Sequence, residues 1–274
     1  MKRFLVSILS LMLLCGCACV DKCADDSSQK KRKIAIHGYV YEKLSLVDTV
    51  KIAVDLGVDG VVLTKRQFIG GKYPNVKVNE NMTPEQRDYV KKLFKDANLE
   101  IASIGVYRIP VKDIEKNLAF CKDMGIKIFT EEHPNEDEQK YYNELSEKYG
   151  VVVALHNHGR KFNKYWEPAY VKKLIDEKYP NIKTCSDNGH WARAGVDCVE
   201  GYKTLAGKIA MLHFKDVDEK GRDTCLGGGT LNIKKMLKVL DENGFDGYFV
   251  LEYEGDKSLL DINTRKSIKY LREN

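Results

Sequence analysis

Two histidines stand two residues apart in Val151–Arg160, VVVALHNHGR. The first half of that stretch is β-branched and apolar, so it reads as a strand. Residues two apart on a strand share a face, so His156 and His158 leave its C-terminal end on the same side. Three later stretches repeat the form. Ile182–Asp187 runs into Asn188, Gly189 and His190; Ile209–His213 runs into Phe214, Lys215 and Asp216; Tyr248–Glu252 runs into Tyr253 and Glu254. Each is an apolar strand that ends in Asp, His or Glu. One residue from each, His156, Asp187, His213 and Glu252, makes two imidazoles and two carboxylates. That set suits one divalent cation of the Mn, Fe, Co or Zn type better than Ca or Mg. Period two supports it: Cys185 shares a face with Asp187, Met211 with His213 and Lys215, and Val250 with Glu252. Taken singly, Asp187 or Glu252 reads equally well as a helix cap or an ion-pair partner.

Such a set needs elements that bring the four ends together. Apolar runs at Lys33–His37, Gly60–Leu63, Glu100–Val106, Lys127–Thr130, Val151–His156, Lys183–Asp187, Ile209–His213 and Tyr248–Glu252 read as strands. Amphipathic stretches alternate with them: Leu46–Leu56, Thr83–Ala97, Lys112–Met124, Glu136–Tyr149, Pro168–Tyr179, Cys198–Ala206, Asn232–Asn243 and Ser258–Arg272. Thr83-Pro84-Glu85-Gln86 is a helix N-terminus by its cap and its proline. Gly57, Gly125, Gly150 and Gly244 punctuate helix ends. Eight strand–helix units predict an α/β chain folded as one (β/α)8 TIM barrel, in which every strand C-terminus opens on one face. A doubly wound open sheet would place a Gly-rich phosphate loop after the first strand, and His37-Gly38-Tyr39 is not one. Five of the six histidines fall at or beyond strand ends in this scheme.

The 274 residues carry a net charge of +5. Met1-Lys2-Arg3 followed by apolar Phe4–Leu14 has the form of a signal peptide, too short to span a bilayer. Leu14-Cys15-Gly16-Cys17 resembles a bacterial lipobox, which implies cleavage after residue 16 and lipid on Cys17. The expected organisation is a signal over 1–16, a flexible tether over 17–32 and the barrel over 33–274. The protein is thereby expected to be exported and held to the membrane surface of the cell envelope by lipid. The basic run Lys30–Lys33 reads as solvated chain near headgroups; modest charge and export argue against nucleic acid as a partner. Four of the eight cysteines lie in the signal and tether. Cys121 and Cys185 sit in apolar contexts and read as buried free thiols.

The stretches SDNGHWARAGVD, LHFKD and LEYE resemble the late strands of the sugar phosphate isomerase/epimerase group in the xylose-isomerase-like barrel superfamily. The resemblance implies that Asp187, His213 and Glu252 are metal ligands and that His190 contacts substrate. Many ketose epimerases of that group end strand five with a Glu serving as ligand and base; here the position is His156. The His-Asn-His tip is similar instead to the strand five of inosose dehydratase, whose class eliminates water or an alcohol beside a ketone.

The implied chemistry is Lewis-acid polarisation of a ketone or enediolate oxygen with proton removal at the neighbouring carbon. His158, Glu252 and Lys215 are candidate bases. Lys215 is also placed to neutralise an enolate, and His190 to protonate a leaving oxygen. A leaving group β to the ketone gives elimination; without one the same enolate gives epimerisation or isomerisation. A small carbohydrate is the expected substrate. His37, Glu132 (or Glu131), Arg160, Trp166, Trp191 and Arg193 are candidate contacts, with Phe162 and Tyr165 as further rings that either stack on a sugar or pack a loop. A different class of reading is a non-catalytic sugar-binding lipoprotein; four intact ligand positions argue for turnover.

Overall fold

The computed structural model describes residues 31–132, 134–162 and 164–274. Cys17, the signal-like stretch and the tether up to residue 30 lie outside the described residues.

Eight parallel strands close into a barrel. They are, in order, Lys33–His37, Gly60–Leu63, Glu100–Tyr107, Ile128–Glu132, Val152–His156, Ile182–Asp187, Ile209–His213 and Tyr248–Leu251. Consecutive strands are neighbours, and the ring closes where the first pairs with the eighth, Lys33 opposite Tyr248. Each strand is buried on both faces, which is why the runs are apolar rather than alternating.

The helices begin and end where local chemistry dictates. Thr83 accepts from the Gln86 N–H while the Gln86 side chain reaches back to Thr83, and Asn135 and Glu138 repeat the device. Gly57, Gly125 and Gly150 end helices at φ of 66°, 71° and 65°, a left-handed conformation that costs a glycine nothing. The helices Leu46–Leu56, Pro84–Asp96, Val111–Met124, Glu136–Tyr149, Pro168–Glu177, Cys198–Thr204, Ile233–Glu242 and Leu260–Glu273 bury their apolar faces against the outside of the barrel. Arg272, on the last of them, donates to the carbonyl of Arg32 and to Asp59, whose carboxylate also accepts the Ile34 N–H. Arg32 itself is buried and pairs with Asp241 at 2.6 Å, so the basic run is folded chain by Arg32 rather than solvated.

Inside the barrel, Ala35, Val62, Ala102, Ala154, Cys185, Met211, Tyr248 and Val250 form a separate cluster. Two residues further along the same faces come His37, Thr64, His156, Asp187, His213 and Glu252. The polar site is the continuation of the apolar interior, one pleat higher.

Additional short elements follow three of the strand ends. A hairpin, Phe68–Gly70 with Tyr73–Lys77, follows strand two; a ribbon, Asp216–Val217 with Asp223–Thr224, follows strand seven; a short helix, Asn188–Arg193, follows strand six. None of the three was expected from periodicity, because each is too short to show one.

Candidate metal centre and active site

The four expected ligands converge. His156 Nε2 lies 3.1 Å from His213 Nδ1. Asp187 Oδ2 is 3.7 Å from each of those nitrogens, and His213 Nδ1 is 3.0 Å from Glu252 Oε2. Asp187, His213 and Glu252 offer ligand atoms within 4.8 Å of one another, as do His156, Asp187 and His190, and His156, Cys185 and His213. Cys185 is thus a neighbour of the cluster that the four-residue set omitted, although it shares the Asp187 face.

Asp187 divides its two oxygens. Oδ1 caps the short helix by accepting the His190 N–H at 2.8 Å. Oδ2 is buried and accepts no hydrogen bond, although it faces two imidazoles. The cap is therefore made by one oxygen, and the other is turned to the cluster.

Two asparagines fix the strand tips. Asn157 Oδ1 accepts the Asp187 N–H at 2.8 Å, and its Nδ2 donates to the Asp187 carbonyl at 2.9 Å. Asn188 makes the same paired bonds to Lys215, at 2.9 and 2.6 Å. Both amides are buried. The next residue along, Asp216, holds the following loop: its carboxylate accepts from the N–H groups of Val217, Gly227, Gly229 and Leu231. A Cβ on Gly229 would stand 2.3 Å from Asp216 Oδ1, so only glycine fits there.

The electrostatics favour a bound cation. Lys215 Nζ is 3.3 Å from Asp187, 3.2 Å from Glu252 and 2.6 Å from Glu254. Burial works against its charge, but the surrounding carboxylates outweigh burial and hold its pKa well above the usual lysine value. With Asp223 at 3.8 Å, four carboxylates surround the one ammonium, an excess of negative charge that a cation would offset. Burial also depresses His156 to about 3 and His190 and His37 to about 4, which keeps these three imidazoles neutral; at His213 burial works the same way, but Cys185, Glu252 and Asp187 outweigh it and hold the ring well above the usual value, so binding an ion there would displace a proton. Asp187 Oδ2, which accepts no hydrogen bond, and the ring nitrogens of His156 and His213 that face it fit a divalent metal held by His156, Asp187, His213 and Glu252.

Above this cluster lies a cavity of about 190 Å³ lined by His37, His156, His158, His190, Glu132, Glu252 and Glu254, with Tyr39, Thr64, Arg66 and Tyr107 on its other wall. That is smaller than the usual drug-sized pocket of about 300–1,000 Å³ and suits a small polar ligand. His158 Nε2 is 2.9 Å from Glu132 Oε1. His37 Nδ1 accepts the Tyr39 N–H at 3.0 Å, so its proton sits on Nε2, which is buried and without a hydrogen-bond partner beside the cavity.

The structure separates Glu131 from Glu132. Glu132 follows Thr130 inward to the cavity. Glu131 turns to the helix layer, where burial first and then Glu138 push its carboxyl well above the ordinary range. Of the other expected contacts, six do not line the cavity. Trp191 is buried against Tyr202 and the glycine face of Gly201. Arg160 donates to the Ala194 carbonyl and stacks over Trp166, 4.2 Å from its ring centroid. Arg193 pairs with Asp223 and reaches His190 Nδ1 at 3.4 Å. Tyr165 is buried with its hydroxyl donating to the Pro134 carbonyl, while Phe162 is exposed against the His158 ring. Glu254 was missed as a lining residue, although period two from Val250 through Glu252 pointed to it. Cys121, Cys185 and Cys198 are buried free thiols, and Cys225 is free and half-buried.

A closed parallel barrel whose strand tips gather histidines and carboxylates around a small cavity is the architecture of barrel enzymes. The chain belongs to the xylose isomerase-like TIM barrel family, whose model matches residues 50–274. An inosose dehydratase of Clostridium perfringens (strain ATCC 13124) is 26% identical over 264 residues, covering 75% of this chain and 84% of that protein. The crystal structure of an uncharacterised Parabacteroides distasonis protein is similar with a TM-score of 0.73 and 26% identity, over 89% of this chain and 99% of that one. The 3-keto-D-glucoside 4-epimerase of E. coli shares the fold, with a TM-score of 0.67 and 16% identity over 89% of this chain and 100% of that one.

Proposed function

We propose that this protein is a divalent-metal-dependent lyase that removes water or an alcohol from a keto-sugar or a 3-keto-glycoside. The coarser statement, an enzyme acting on a sugar, has the support of the dehydratase relative and the epimerase fold neighbour. The observation that carries the finer one is the His158–Glu132 pair beside the His156, Asp187, His213 and Glu252 cluster: a base held by a carboxylate next to the cation site, with an imidazole where a second carboxylate would make strand five a base.

When bound by those four residues, the cation supplies Lewis-acid polarisation of the substrate carbonyl. The chain does the rest. His158 takes the proton from the carbon beside the carbonyl, and Glu132, 2.9 Å away, orients the ring and stabilises the imidazolium that forms. The C–H electron pair becomes the enolate. The enolate then re-forms the carbonyl as its double bond moves to the β carbon and the C–O bond there breaks. His158, now carrying the proton, returns it to the departing oxygen, so water or alcohol leaves and an enone remains. His37 presents its Nε2–H to the bound sugar, and neutral His190 serves as a hydrogen-bond donor rather than as a strong acid. Lys215 stays charged beneath the site and offsets part of the carboxylate charge.

A second reading, ketose epimerase or isomerase, draws on Glu254. It lines the same cavity just beyond strand eight, across the ring from strand four and Glu132. A base on each side is what epimerisation requires. On either reading the enzyme is exported and lipid-anchored through Cys17, which makes unphosphorylated sugars the substrate class.

The test uses the purified protein loaded with Mn, Co, Zn or Fe in deuterated water, offered a 3-keto-glucoside and a free ketose. Metal-dependent aglycone release with an enone chromophore is the expected result. Deuterium incorporation with an inverted centre and no release would replace the lyase by the epimerase.

A further inference from the structure

We propose that the strand-start pole of the barrel, opposite the active-site mouth, is a docking surface for anionic phospholipid headgroups. A barrel interior is normally filled by layers of side chains. At this pole the filling is short. Ala102, Ala210 and Gly247 stand near the starts of strands three, seven and eight, and the space they leave is part of a cavity of about 570 Å³, larger than the one at the mouth.

The rim of that cavity is cationic. Lys33, Lys91, Lys95 and Lys127 line it, against the carboxylates of Glu100 and Asp246. Glu100 already accepts the Tyr248 hydroxyl at 2.6 Å, and Lys33 rests over the Tyr248 ring. Lys91 is shared with Asp88 and Asp123. Among the described residues Lys95 and Lys127, both exposed, have no ion-pair partner. An apolar floor under a rim with excess ammonium charge complements a phosphate carried on an acyl chain.

The position argues for a membrane source of that phosphate. Lys33 opens strand one and is itself on the rim, so the chain enters the barrel at this pole, shortly after Cys17 and its lipobox-like setting. A surface bound here leaves the opposite mouth open to soluble sugar. The proposal rests on the exported, surface-attached reading and is independent of whether the enzyme is lyase or epimerase.

The test is lysine acylation of the full-length protein, read by mass spectrometry, on phosphatidylcholine vesicles with and without phosphatidylglycerol. On the anionic vesicles Lys95 and Lys127 are expected to label roughly fivefold more slowly, the effect of about one screened charge contact each. Lys161 and Lys220, exposed in loops that follow strands five and seven, are expected to label alike on both. In a Lys95→Glu/Lys127→Glu variant, both sites exposed and tolerant of change, the protection of Lys91 is expected to disappear. Equal labelling of the rim on the two vesicle types overturns the proposal. Protection by inorganic phosphate alone also overturns it, assigning the pole to a soluble anion.

Discussion

Asn157 grips Asp187 by both backbone groups, taking its N–H at 2.8 Å and giving to its carbonyl at 2.9 Å. The asparagine between the two histidines of strand five therefore sets where the strand-six carboxylate stands. Asn157→Ala leaves two buried backbone groups unpaired. Metal affinity is expected to fall by about 10–100-fold, as for other supports of ligand residues. Calorimetric titration of metal into the variant reads this directly; an unchanged affinity would mean that Asp187 is held by something else.

If the proposed cation is held by the cluster, removing it should cost stability. A ligand at a hundred times its Kd adds about 2.7 kcal/mol to the folded state. A chelator is expected to lower the Tm of the wild-type protein and to leave that of His156→Ala unmoved. Equal shifts in both would take His156 out of the cluster.

His158 and Glu132 face each other across the cavity side of strands four and five. His158→Ala is expected to lower kcat by about 10²–10⁴-fold, the usual range for a lost general base, with metal affinity intact. Glu132→Gln should fall less and shift the pH profile, because it acts through the imidazole. Loss of metal from His158→Ala would instead make it a ligand.

Asp216 ties a glycine-rich loop through four backbone N–H bonds. Hydrogen bonds to a charged acceptor contribute roughly 1.5–3 kcal/mol each, though not additively. Asp216→Ala is expected to cost about 3 kcal/mol or more in urea unfolding. A loss under 1 kcal/mol would mean that water replaces the carboxylate.

Glu131 gives the fold a pH dependence. Its carboxyl is buried behind strand four and its pKa is raised, first by burial and then by Glu138. The folded state thus holds this proton more tightly than the unfolded chain does. The contribution is fully present below the unfolded carboxylate pKa of about 4.3 and is lost as pH rises through the folded value. Glu131→Gln keeps the neutral form at every pH, so its stability relative to wild type should rise as pH climbs from the unfolded value to the folded one and then stay level. Parallel curves of unfolding free energy against pH would contradict this.

The barrel was readable because each strand is buried on both faces and several helices, such as Pro84–Asp96 and Glu136–Tyr149, carry their own caps. The four cluster residues were readable because period two on a buried strand leaves little choice of direction. What escaped detection depends on contacts between strands far apart in the chain. Asn157, Asn188 and Asp216 look like ordinary loop residues until strands six and seven lie beside their neighbours. Trp191 looked like a sugar platform because a tryptophan beside a site motif suggests one. Its packing against Gly201 and Tyr202 comes from the following helix, which no local pattern announces. Glu254 did carry a signal, the same alternation that identified Glu252, one step further on.

The order of strands around the ring has one more consequence. His156, Asp187, His213 and Glu252 all come from the last four strand–helix units, while His37 and Glu132 come from the first four. The cation cluster thus draws on the second half alone, while the cavity above it draws on both halves, joined by the His158–Glu132 pair. The residues that would hold the ion and those that would frame the sugar are therefore set on overlapping but unequal parts of the ring, with His37, Tyr39, Thr64, Arg66 and Tyr107 forming the wall that no cluster residue shares.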